Sequence, residues 1–100
     1  MNALAQESLL ETVAVLLRRA GVNAGWQDTG GGTYCVVIAD ADGDVDEPRF
    51  WFGTAAESWA GEVDGEPSGL WTDVDSDETN PTQVARGILA ALTRFLQNQA

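Results

Sequence analysis

Between residues 22 and 74 the apolar residues recur at about every second position in five short runs, and the gaps between those runs are too short to carry the chain back across a sheet. The runs fall at 22–27, 33–40, 49–54, 58–63 and 70–74, and the longest gap is 41–48. Parallel strands need a crossover of a dozen residues or more, so these runs predict an antiparallel meander. The gaps hold residues that turn a chain: Gly30, Gly31 and Gly32, then Asp42, Gly43 and Asp44, then Gly65 through Gly69 with Pro67.

On either side the period changes to that of a helix. Residues 3–20 place Leu9, Val13, Leu16 and Ala20 on one stripe, widened by Leu10 and Leu17. Glu7 and Glu11 lie in the first half and Arg18 and Arg19 at the end, which suits the helix dipole, and Gly21 is placed to supply a left-handed final residue. At the other end Asn80 is a natural N-cap, Pro81 fits the first helical position and Gln83 completes the spacing of a capping box. Val84, Ile88, Ala91, Leu92 and Phe95 follow at helical spacing. The expected fold is an α+β two-layer sandwich of order α-β-β-β-β-β-α, one domain over 1–100, with both helices on one face of a five-stranded sheet.

Alternation assigns the strand residues to faces. Tyr34, Val36, Ile38, Phe50, Phe52, Trp59, Val63, Leu70 and Val74 should meet the helices. The opposite face receives Cys35, Val37, Trp51, Ala60, Trp71 and Asp73. If nothing covers it, Val37, Trp51 and Trp71 form an apolar patch rimmed by carboxylates, and such patches mark interaction sites. A slip of register would instead make these tryptophans ordinary core.

The charge is concentrated. The chain carries a formal −11, every cation is arginine, and residues 40–78 hold thirteen carboxylates against Arg49 alone. Nucleic acid and anionic membranes are bound mainly through Lys and Arg, so neither direct nucleic-acid binding nor membrane binding is expected. A GC-rich coding sequence or a salt-adapted source would give the same composition without any partner. The apolar runs are far below the ~20 residues of a membrane span. No signal-like segment opens the chain, and the single cysteine has no internal partner, so a cytoplasmic setting is expected.

The sequence is poor in reactive groups. No histidine occurs, which removes the commonest general base and metal ligand and the Ser-His and Cys-His dyads. Cys35 sits in an apolar run, where a thiol is normally buried and inert, and Ser58 lacks the glycines of a nucleophile elbow. Gly30–Gly31–Gly32 leads into a strand with no following lysine, so it reads as a hairpin turn and not a phosphate loop. The acidic turn at Asp40, Asp42 and Asp44 is a weak candidate for an incidental Ca²⁺ site. Counted from Asp40, an EF-hand would need glycine where Val45 stands and glutamate where Trp51 stands. Asp73 to Glu78 reads as a solvated loop. Carboxylate pairs such as Glu57 with Glu62, or Asp64 with Glu66, would serve at a glycosidic bond only in a cleft that a chain this small has little room to build.

No catalytic residue and no cofactor is therefore expected. The order helix, meander, helix recurs among small immunity proteins, secretion chaperones and phage-encoded accessory proteins, which is a likeness of architecture that leaves function open. The leading expectation is a non-enzymatic protein–protein module with Val37, Trp51, Trp71 and Asp73 at its contact surface, meeting another protein or a second copy. The alternative is an acidic decoy or inhibitor, of phage or bacterial origin, that binds a basic nucleic-acid-processing protein.

Overall fold

A computed structural model describes residues 3–30, 33–55, 57–64 and 66–99. Helix α1 spans Ala3–Arg19, strands β1 to β5 span Ala24–Gly30, Thr33–Ile38, Phe50–Ala55, Ser58–Val63 and Glu66–Asp75, and helix α2 spans Pro81–Gln99. The strands form one antiparallel sheet in the order β1-β2-β3-β4-β5, the meander expected from the short gaps. Both helices begin at the same end of the sheet, where Ala5 and Ser8 of α1 lie near Thr79 and Pro81.

Local signals account for the helix ends. Gly21 takes φ 89°, the N–H of Gly21 donates to the carbonyl of Arg18, and the N–H of Val22 donates to that of Leu17. This is a Schellman motif, and it holds Val22 and Asn23 in the helix exit. It corrects the expected first strand, which starts at Ala24 and runs on to Gly30. Asn80 caps α2 as expected, its Oδ1 accepting from the amides of Thr82 and Gln83 at 2.9 and 3.4 Å. The reciprocal bond differs from a capping box: the amide of Asn80 donates to Glu78, not to Gln83. Residues 66–69, expected in a loop, belong to β5. There Pro67 stands opposite Glu62 past a shift of register, and a proline is tolerated because β5 is an edge strand. Gly31, Gly32 and Gly65, expected in turns, lie outside the described residues.

The nine residues assigned to the helix-facing side all reach the core or pack against it. Val36, Ile38, Phe50, Phe52, Trp59 and Leu70 are buried with Leu10, Val13, Leu17, Val84 and Ile88 of the helices, and Tyr34, Val63 and Val74 lie at the margin. Phe95 meets Phe50 edge to face at 5.8 Å between centroids.

Two glycines set how closely the layers and strands approach. A Cβ on Gly87 would overlap Val74, so α2 lies directly on β5. At Gly61 of β4 a Cβ would come within 2.8 Å of the Phe52 ring and 2.9 Å of the Leu70 Cβ. Gly61 is the gap into which its two cross-strand neighbours pack. Gly53 differs, since a Cβ there meets nothing closer than 3.7 Å. Gly61→Ala should therefore cost about 1–3 kcal/mol of unfolding free energy through overpacking. Gly53→Ala should stay within about 0.5 kcal/mol of the parent. Urea midpoints of the two variants provide the comparison.

Candidate functional site

The face of the sheet turned away from the helices divides into a covered end and an open end. The segment linking β2 to β3 covers the first. Its residue Val45 packs over Gly25, where an added Cβ would lie 3.6 Å from the Val45 Cβ and 3.7 Å from Val37 Cγ2. Gln27 Nε2 donates to the Val45 carbonyl at 3.4 Å, and Asn23 Nδ2 donates to the carbonyls of Asp40 and Gly43, each at 2.9 Å. Held at these points, the acidic segment buries Val37 to 1% exposure. Val37 is thus part of a second, small packing layer and does not join the exposed patch in which the sequence placed it.

The open end carries the tryptophans. Cross-strand pairing sets Trp51 opposite Val37 and Glu62, and Trp71 opposite Ala60. Ala60 in turn pairs with Gly53, whose neighbour on β2 is Cys35. Small residues therefore separate two large ones. From ideal strand spacing and rise, the Cα atoms of Trp51 and Trp71 stand about 12 Å apart, two strands and one residue pair removed. Trp51 is half-buried, whereas Trp71 is 56% exposed. Glu62 lies between them and is exposed, and Asp73 stands one pair further along β5.

Arg94 fixes this rim. It reaches from α2 round the edge of the sheet, donating from Nη2 to the carbonyl of Trp71 at 2.7 Å, while its Nη1 lies 3.5 Å from Asp73 Oδ2. The strand segment that presents Trp71 is thereby tied to the helix layer. Neither Arg94 nor Asn23 stood out in the sequence. Their roles are contacts of a side chain with distant backbone, and such contacts leave no local pattern.

The acidic turn is organised without converging on an ion. Arg49 lies 3.9 Å from both Asp40 and Asp64. Asp44 Oδ1 accepts from the amide of Asp46, and the turn carbonyls of Asp40 and Gly43 accept from Asn23. Among the described residues no group of three or more Asp, Glu, Cys or His is placed to hold a metal, so Asp40, Asp42 and Asp44 are not brought together as a ligand set. No helix among the described residues is long and apolar enough to cross a membrane. Comparison with protein families, curated proteins and solved structures finds no match to this chain.

Cys35 lies on β2, beside Gly53 and on the far side of β3 from Trp71, and is buried. Burial pushes its thiol pKa up, and the Glu62 carboxylate adds to the shift. A raised folded-state value makes the native protein hold the proton longer than the unfolded chain, which loses it near pH ~8.5. Stability should accordingly hold below pH ~8.5 and fall as the pH rises from there through the raised native value. With no histidine or lysine present, few other side chains titrate in that interval. Urea midpoints measured across it should decline in the parent and decline less in Cys35→Ala.

Proposed function

We propose that this chain is a non-enzymatic protein–protein interaction module that binds its partner through the open end of the sheet around Trp51 and Trp71. The observation that carries this reading is the 56% exposure of Trp71 on a strand tied down by Arg94. A large aromatic held on a rigid sheet loses little conformational freedom when covered, which is what an interface anchor requires. Burying the exposed part of Trp71 is worth about 3 kcal/mol on the transfer scale, before the costs of association.

The rim indicates the partner. Glu62 and Asp73 border the patch, and the cation beside it, Arg94, is already engaged with Asp73. A second copy would set carboxylate against carboxylate between two chains of −11 each. A foreign protein with arginine or lysine around an apolar centre meets the same surface without that repulsion.

A photo-cross-linking residue at Glu62, between the two tryptophans, tests the reading in the cells that make the protein. Adducts of defined mass are expected, and they should vanish when Trp71→Ala is added. Absence of adducts at this position, or the same adducts from a probe at Glu11 on the exposed side of α1, would sink the proposal. Light scattering at low and high salt identifies the partner as self if a dimer is seen and is lost in Trp51→Ala or Trp71→Ala.

A further inference from the structure

The register of the open face leaves a hollow whose walls differ in chemistry. Gly53 on β3 pairs with Ala60 on β4, and Ala60 pairs with Trp71 on β5, so two small residues form a floor beside a large one. A Cβ on Gly53 would meet nothing closer than the Tyr34 carbonyl at 3.7 Å and the Cys35 Cβ at 3.8 Å, so the space above it is open. One pair further along the same face, Trp51 stands opposite Glu62 and forms the adjoining wall. From ideal sheet spacing Glu62 lies about 5 Å from Trp51 across the strands and about 8 Å from Trp71 on the diagonal.

The carboxylate in this frame has no counter-ion. Glu62 is exposed, and among the described residues no hydrogen bond or ion pair reaches its side chain, whereas Asp73 lies beside Arg94 and Asp40 and Asp64 share Arg49. Its charge is felt across Gly53 by the Cys35 thiol, which it helps to push up. An unpaired carboxylate beside two indoles, over a floor of small residues, is complementary to a flat cation. A guanidinium suits it better than an ammonium, because it is planar and weakly hydrated, stacks on an indole and meets a carboxylate with two parallel N–H bonds. One such side chain fits a shallow hollow and requires no wider apolar surface.

We propose that the hollow between Trp51, Glu62 and Trp71 receives one arginine side chain of the partner protein, its guanidinium over Gly53 and Ala60. The Glu62 carboxylate accepts from the guanidinium N–H groups, and the indoles flank the cation. This inference rests on the use of the tryptophan face proposed above and adds the residue which that face reads. The cross-linking probe described above replaces Glu62 and so reports the tryptophans alone, while the titration below reports the carboxylate, so each can fail without the other.

The test uses three peptides of the form acetyl-Gly-X-Gly-amide, with X arginine, citrulline or lysine. Each is titrated into the isotope-labelled full chain while the indole N–H resonances are followed by NMR. The arginine peptide should shift the Trp51 and Trp71 resonances to saturation and leave in place those of Trp26 and Trp59, which pack on the helix side. The citrulline peptide, of the same shape without the charge, should bind at least tenfold more weakly, and the lysine peptide at least threefold more weakly. Glu62→Gln should weaken the arginine peptide tenfold or more with an unchanged thermal midpoint, whereas Glu11→Gln, the same loss of charge on α1, should leave it within twofold. Absence of a saturable shift, or equal binding of the arginine peptide and either of the others, overturns the proposal and requires no variant. Undiminished binding to Glu62→Gln, or an equal loss in Glu11→Gln, overturns it too. If the adducts at position 62 still vanish with Trp71→Ala in any of these cases, the tryptophan face stands and its arginine does not.

Discussion

The packing of Phe52, Trp59 and Leu70 beneath the two helices is the constraint on which the remaining surfaces depend. Because both helices lie on one side, the strands have an apolar face sealed by α1 and α2 and a second face that the segment between β2 and β3 covers at one end. Gly61 and Gly87 allow this seal to be tight: one lets neighbouring side chains fill the sheet surface, and the other lets α2 rest on β5. With the helix layer set so closely, α2 cannot roll to bury Leu96, and Trp71 cannot be turned inward without shifting every residue of β5 to the opposite face.

The acidic segment between β2 and β3 then has a structural part as well as an electrostatic one. It supplies Val45 as a partial lid for the uncovered face, while its carboxylates remain in solvent. Asn23 makes this arrangement possible by giving the turn carbonyls a donor from the helix exit. Charge repulsion among Asp40, Asp42, Asp44 and Asp46 is thus opposed by backbone hydrogen bonds and by Arg49.

Periodicity made the architecture legible. Alternation within β2 to β5 placed nine side chains on the helix-facing side, and all nine lie there, because a period of two leaves only two choices per strand. The strand limits were less legible: Val22 reads as the start of β1 until the two hydrogen bonds of the Schellman motif claim it, and Pro67 reads as a breaker until β5 is seen to be an edge. The surface sites were legible in part. Trp51 and Trp71 follow from alternation, whereas the burial of Val37 depends on Val45, a residue from a segment without any period. Leu89 and Leu96 fell outside the helical stripe read from the sequence, and Leu89 packs against the core whereas Leu96 stays exposed.

The two edges of the sheet are treated alike. Arg94 from α2 donates to the carbonyl of Trp71 on β5, and Arg18 from α1 donates to the carbonyl of Ala24 at 3.3 Å on β1. In a chain with five cations, one from each helix is committed to an outer strand. An open row of amides and carbonyls is a template for adding further strands, and a guanidinium on each side interrupts that row. Each outer strand is thereby hindered from pairing edge to edge with a further strand, while Trp71 on the face of β5 stays exposed.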